Sequence, residues 1–71
     1  MVVKKIVEAR AGGQVLAVVL IELKSLFPWS RAAIDADFIY EAYEDFWWRR
    51  IDLPADVQML VRDPRPGDPT E

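Results

Sequence analysis

The apolar positions of this sequence form two β-branched stretches, followed by one longer stretch with helical spacing. The β-branched stretches cover residues 2–10 and 14–23, and an Ala-Gly-Gly segment at residues 11–13 separates them. β-Branched residues suit strands, and Gly-Gly supplies the positive φ angles that tight hairpin turns require. The pattern predicts a β-hairpin, with a helix over residues 14–27 as the alternative.

The second stretch contains seven consecutive apolar residues, from Val15 to Ile21. A strand with one solvated face alternates between apolar and polar residues, so an unbroken run indicates that both faces are covered. A single helix covers only one face of a sheet. The other face is therefore predicted to bind a second copy of the protein or another partner.

A helix is predicted over residues 31–50, where apolar residues recur at intervals of three and four. Ser30 is a candidate N-cap, and Trp29 and Ile34 have the spacing of a hydrophobic staple. The apolar stripe of this helix is predicted to face the sheet and to end at Trp47. Its members are Ile34 or Asp35, Phe38, Ile39, Ala42, Tyr43, Phe46 and Trp47.

The helix is predicted to end before Leu53–Pro54, and the residues that follow allow two interpretations. Residues 55–62 alternate as a strand does, but they also fit a short helical turn that begins with the proline. We favour a third strand, because a two-stranded hairpin is only marginally stable. The proline-rich residues 63–71 are predicted to be a disordered tail. The predicted fold is a small single α+β domain over residues 1–62, consisting of a β-hairpin, one long amphipathic helix and a short C-terminal strand or helical turn.

Chain length and composition make self-association the expected source of additional stability. A chain of 71 residues buries only about 60% of its unfolded surface, so its core is marginal. Disulfides, a metal or oligomerisation usually compensate. The sequence has no cysteine and no histidine, which removes disulfides and the common zinc ligands. We therefore expect a homodimer or larger homo-oligomer, and no cofactor.

Charge is distributed unevenly between the two halves of the chain. Residues 1–33 carry five basic and two acidic side chains, whereas residues 34–71 carry four basic and ten acidic ones. Neither half has the concentrated basic face that nucleic acid requires. The longest apolar run is far shorter than the about 20 residues of a membrane-spanning helix. The sequence thus predicts no nucleic-acid partner and no membrane partner. It predicts a cytoplasmic location.

Composition also suggests a thermophilic source as a hypothesis. The chain has no asparagine and one threonine, and depletion of thermolabile residues is one trend of thermophile proteins. A GC-rich genome would give the same bias. A melting midpoint of about 50 °C, in the ordinary mesophile range, would contradict the hypothesis.

The densest group of functional side chains is DADFIYEAYEDFWWRR, residues 35–50. Carboxylates on one helix face can hold Mg²⁺ or Ca²⁺, or act as an acid–base pair. One surface helix provides no cleft for catalysis, however, and di-metal bundles use carboxylates from several helices. We interpret the group as a solvated, partner-selecting acidic face, and expect no metal site and no catalytic residue. Its members are Asp37, Glu41, Glu44 and Asp45.

Trp47 and Trp48 point about 100° apart on a helix, so both cannot enter one core. Trp48 is predicted either to cover the helix edge or to be an exposed anchor, because Trp and Arg are enriched in interface hot spots. The predicted interface combines strand and helix residues. They are Val15, Val19, Ile21, Trp47, Trp48 and Arg49.

The sequence contains no motif that is specific for an enzyme family. Gly12–Gly13 lacks the spacing of a phosphate-binding loop, and a Ser-His-Asp triad is impossible within a chain that has no histidine. The leading hypothesis is a non-enzymatic interaction module, either self-assembling or an accessory subunit. The alternative is an acidic antagonist of a basic protein, such as a toxin neutraliser or a nucleic-acid mimic.

Overall fold

The computed structural model describes residues 2–24 and 35–70 as a three-stranded antiparallel sheet with one helix packed on it. This confirms the predicted small α+β fold, and it confirms a strand within residues 55–62. The predicted capping residues Trp29, Ser30 and Ile34 lie outside the described residues. The elements in chain order are β1 (Val2–Ala11), β2 (Gln14–Lys24), α1 (Asp35–Trp48) and β3 (Gln58–Arg62).

The strand order is β2-β1-β3, so the first strand of the chain occupies the middle of the sheet. Gly12 and Gly13 connect β1 to β2 with φ angles of 58° and 78°. Both angles lie in the left-handed region, which two-residue hairpin turns require and glycine adopts readily. The tight turn therefore fixes β1 and β2 as direct neighbours.

The register between β1 and β2 shifts once, close to the hairpin turn. Ala9 is paired with Ala17, but Arg10 is paired with Val15, which leaves Leu16 as an extra residue in β2. Such a β-bulge increases local twist and re-aims the side chains around it. Because of the bulge, the apolar run of β2 changes its phase relative to the two faces of the sheet.

One face of the sheet packs against α1 and forms the core. The helix contributes three buried residues spaced four apart, with Ala42 between two phenylalanines. All three belong to the same buried core cluster as residues of β1 and β2. The fully or almost fully buried core residues on this face are Val7, Ala9, Val19, Ile21, Phe38, Ala42 and Phe46.

The predicted apolar stripe of the helix is confirmed at Phe38, Ala42 and Phe46 and is wrong at Tyr43 and Trp47. Tyr43 is 45% exposed and Trp47 is 70% exposed, although both were expected to face the sheet. At 100° per residue, Trp47 lies about 140° from Ala42, which is the centre of the buried line. The residues that pack against the sheet are Phe38, Ala42 and Phe46, which follow one another at intervals of four.

The helix ends two residues earlier than the predicted Arg50. The Ile51 amide donates to the Phe46 carbonyl and the Arg50 amide donates to the Trp47 carbonyl, both at 3.0 Å. Arg50 has a φ of 57°. These bonds and this left-handed residue constitute a Schellman motif, in which Ile51 folds back onto the core.

Residues 63–70 belong to the segment that is predicted to be a disordered tail, and in the structure they contain a turn that is hydrogen-bonded to the sheet. The Asp68 amide donates to the Arg65 carbonyl at 3.1 Å, which closes a turn. The Asp68 carboxylate in turn accepts two hydrogen bonds from the Arg62 guanidinium, at 2.7 and 2.8 Å. The pairing of Arg62 with Asp68 cannot be inferred from the composition of the segment. Among the described residues, no helix is long and apolar enough to cross a membrane.

Candidate interaction surfaces

The face of the sheet opposite α1, here called the open face, is apolar along β2. Val18 and Leu20 point to this face, since they are paired with Glu8 and Ile6 of β1. Val15 and Leu16 are 47% and 42% exposed, and Val18 and Leu20 are half-buried. We call these four residues the β2 ribbon. The ribbon follows the outermost strand and leaves apolar side chains in contact with solvent.

The other half of the open face carries a charged cluster centred on Glu8 of β1. Glu8 is 6% exposed, and its carboxylate accepts a hydrogen bond of 2.6 Å from Nε of Arg62. Arg10 and Arg65 lie at 3.7 and 3.8 Å from the same carboxylate. A carboxylate so far out of water requires charged partners, and three arginines supply them.

Asp68 extends this cluster from the C-terminal turn. The hydrogen bonds from Arg62, and the one from the backbone amide of Arg65, hold the pKa of Asp68 well below its usual range. Reciprocally, the hydrogen bonds to Asp68 and Glu8 hold the pKa of Arg62 above its usual value. The Arg62–Asp68 pair therefore remains ionised at neutral pH, and it ties the turn at residues 63–70 to the sheet.

The outer edge of β2 is partly occupied by Arg49, which follows the last residue of α1. In the part of the chain that the structure describes, β2 has a strand neighbour on one side only. Nη2 of Arg49 donates to the Val18 carbonyl at 3.5 Å, and Arg49 pairs with Asp45 at 2.7 Å. The guanidinium also lies 5.5 Å from the centre of the Phe46 ring. Charged side chains on an edge strand discourage pairing with further strands.

The solvent side of α1 bears a row of exposed aromatic residues. Tyr40 and Trp47 are 69% and 70% exposed, and Tyr43 lies between them at 45%. Their i, i+3, i+7 spacing places them on one side of the helix, and we call them the aromatic stripe. Trp48 is also 70% exposed and meets Trp47 edge-on, with ring centres 5.1 Å apart. The exposure of Trp48, which the sequence left open, is thereby decided.

The acidic residues predicted to select partners line the side of α1 next to the aromatic stripe. Glu41 and Glu44 are exposed, whereas Asp37 is half-buried. Asp45 is paired with Arg49. A shallow hollow between helix and sheet brings several of these groups near the β2 edge. Its lining residues are Ile21, Glu41, Glu44, Asp45 and Trp48.

The predicted interface residues do not form one surface. Val19 and Ile21 are buried beneath α1, so the helix already covers them. Val15 belongs to the open face, while Trp47 and Trp48 lie on the solvent side of the helix. The apolar residues of β2 that remain accessible on the open face are those of the β2 ribbon, which the sequence could indicate only through the register of the hairpin.

Glu8, Arg62 and Tyr40 are further residues that sequence reasoning missed. Glu8 is the only acid within a β-branched strand of otherwise apolar or basic residues, which was the available signal. In residues 2–24 and 35–70, no group of three or more acidic side chains has the arrangement of a metal site. A second shallow hollow lies beside the tryptophans and is lined by Trp47, Trp48, Arg50, Ile51 and Asp52.

No protein-family model matches this sequence, and neither the curated proteins nor the solved structures contain a significant match.

Proposed function

We propose that the protein is a non-enzymatic interaction module that self-assembles through the open face of its sheet. The observation that supports this proposal is the β2 ribbon, a continuous apolar strip on an outermost strand. The charged cluster and the C-terminal turn occupy the other half of the same face. A second copy that covers the ribbon would remove its apolar side chains from water, which is the dominant favourable term in protein association.

The size of the chain supports the same proposal. A domain of 71 residues has little core of its own, and association of copies adds buried apolar area without any new element. The assembly state is therefore expected to be a homodimer or larger homo-oligomer. Apolar association of this kind holds or strengthens in high salt, whereas charge-driven association weakens.

Two substitutions in the same cross-strand row test the location of the interface. Val18 and Leu60 both flank Glu8, on opposite sides of the central strand. Val18→Lys places a charge in the ribbon, and Leu60→Lys places the same charge equally near Glu8 but outside the ribbon. Light scattering after size exclusion should show a monomer for Val18→Lys and an unchanged oligomer for Leu60→Lys.

The other outcomes of this experiment contradict either self-assembly or its location at the β2 ribbon. A wild-type chain that is monomeric at low and high salt would exclude self-assembly in the purified protein. An oligomer that survives Val18→Lys would place the contact elsewhere. Dissociation by both substitutions would show that the interface is not confined to the ribbon.

A second candidate function is an acidic antagonist of a basic protein. The observation that favours it is the exposure of Glu41 and Glu44 on a helix that contains five acidic residues and no basic one. Binding of this kind should weaken steeply as ionic strength rises. Isothermal titration against a basic protein such as lysozyme, at about 20 and 300 mM salt, would reveal it.

A further inference from the structure

The aromatic stripe is an exposed apolar feature on the helix side of the molecule. Each aromatic side chain presents about 150–250 Å², so the exposed fractions of Tyr40, Tyr43 and Trp47 leave on the order of 400 Å² of aromatic surface in water. Contiguous patches of about 300–600 Å² on a monomer are often functional. The stripe therefore has the size of a recognition site.

The spacing of the stripe determines what shape of partner fits it. Tyr40, Tyr43 and Trp47 are separated by three and four residues, which is the a-d-a spacing of a helix that packs alongside another helix. The stripe covers about two turns of α1 and is thus about 10 Å long. A partner helix of three or four turns would cover it completely.

The acidic residues beside the stripe determine the sign of the charge that a partner must carry. Glu44 follows Tyr40 by one turn and therefore lies next to it, and Glu41 is placed further around the same side. Both carboxylates are exposed. A second copy docking on this surface would oppose two helices that each carry five acids and no base, and like charges in such contacts are repulsive. The charge pattern favours a basic partner over a second copy.

We propose that the aromatic stripe of α1 docks a basic amphipathic helix of another protein. The apolar seam of that helix would pack on Tyr40, Tyr43 and Trp47, and its Lys or Arg residues would lie against Glu41 and Glu44. This site lies on the solvent side of α1, away from the open face of the sheet. It therefore does not depend on self-assembly through the β2 ribbon.

A designed peptide tests this proposal directly. The probe is a synthetic Leu/Lys peptide of roughly 18 residues with leucines at i, i+3, i+4 and i+7, which is amphipathic as a helix. A scrambled Leu/Lys peptide of the same composition keeps the charge but loses the seam, and a Leu/Glu peptide keeps the seam but reverses the charge. Calorimetric titration should show binding of the first peptide, roughly tenfold or more weaker binding of the second, and none of the third.

Matched variants assign the binding to the stripe. The double substitution Tyr40→Ser/Trp47→Ser should weaken binding of the amphipathic basic peptide roughly tenfold or more, whereas Leu60→Ser, on the open face, should leave it unchanged. Glu44→Gln should weaken binding less, and Glu22→Gln on β2 should not. Because the two aromatic residues are exposed, the fold should survive, and circular dichroism checks this. If the double variant does not fold, Glu41→Gln/Glu44→Gln is the deciding variant, and unchanged binding there overturns the proposal.

Three results would overturn the proposal. Equal binding of the scrambled peptide would mean that charge alone recognises the probe. Binding that is unaffected by the double aromatic substitution would place the site elsewhere. A double aromatic variant that changes from oligomer to monomer would show that a second copy occupies the stripe.

Discussion

Ile6 and Val7 are consecutive residues of the central strand, both are fully buried, and they are covered by opposite kinds of chemistry. Val7 faces α1 and lies in an entirely apolar core with Phe38 and Phe46. Ile6 faces the other way, where its cross-strand neighbours are Leu20 and Arg62. Glu8 continues this second side and is also buried, beneath arginines.

The comparison shows that burial of a central strand does not by itself reveal a hydrophobic core. On the helix side, stability depends on the volume of packed side chains. On the open face, stability depends on the geometry of charged pairs. Removal of one partner from such a pair strongly destabilises the folded protein, because the other charge stays buried without a partner. The two sides should therefore respond differently to substitution, pH and salt.

The largest expected effect is on the helix side. Phe46→Ala removes a fully buried ring and should lower the free energy of unfolding by about 3–5 kcal/mol. A domain of this length has only about 4–10 kcal/mol in total, so the variant should be close to unfolded. Urea denaturation followed by circular dichroism measures the loss, and the exposed Tyr40→Ala is the control. Equal losses in both variants would contradict the assigned rotation of α1.

A smaller effect is expected from the charged cluster. Glu8→Gln keeps the shape of the side chain but removes the charge that faces Arg62, and should cost on the order of 1–2 kcal/mol. The double substitution Glu8→Leu/Arg62→Leu should cost more than Glu8→Gln, because it also removes the guanidinium that pairs with the Asp68 carboxylate. The same denaturation assay applies. A double variant that is as stable as Glu8→Gln would show that Asp68 does not depend on Arg62.

A stabilising change is expected at the end of α1. Arg50 has a positive φ, which is strained for any residue with a Cβ atom. Arg50→Gly should raise the free energy of unfolding by about 0.5–1 kcal/mol, after the greater flexibility of glycine in the unfolded chain is allowed for. Arg50→Ala keeps the strain and should bring no such gain. If alanine stabilises as much as glycine, the helix does not end in the Schellman motif.

The smallest expected effect is on the melting temperature at acidic pH. The pKa of Asp68 is lowered in the folded protein, chiefly by its hydrogen bonds from Arg62. Its contribution is therefore fully present above the unfolded pKa of about 3.9 and is lost as pH falls below that value. Partly exposed pairs contribute little, so the melting temperature should drop only slightly more between about pH 5 and pH 3 in the wild type than in Asp68→Asn. Equal drops would contradict the assignment.

Asp68 is also expected to hold the C-terminal segment in place, because its carboxylate bonds to Arg62 and to the Arg65 amide. Backbone NMR relaxation of residues 63–70 should report restricted motion at neutral pH, and greater motion in Asp68→Asn. High mobility in the wild type would instead agree with the disorder that composition predicts.

Much of the fold could be predicted from local sequence because local chemistry determines it. Gly12–Gly13 identifies the hairpin turn, and the three- and four-residue spacing up to Phe46 identifies the helix. The rotation of the helix could not be predicted in the same way. Trp47 and Phe46 are both aromatic, and which of them faces the sheet depends on packing against strand residues far away in the sequence, such as Val7.

The candidate surfaces were harder to predict, because they depend on pairing across the sheet. The run from Val15 to Ile21 correctly indicates that β2 has two apolar faces. It does not indicate which residues α1 covers, and the bulge at Leu16 shifts the phase. The burial of Glu8 depends on Arg62, which is 54 residues further along the chain, so no local pattern reveals it.

The strand order has a consequence for how the protein is made. β1 leaves the ribosome first, yet it becomes the middle strand and needs β3 as its second neighbour. The hairpin with β2 closes over two residues, but the pairing of Ile6 with Arg62 must wait until residue 62 has been synthesised. Until then one edge of β1 is unprotected, and non-local pairing of this kind is slow and prone to aggregation. A nascent chain that stalls before residue 58 would therefore expose the centre of its own sheet.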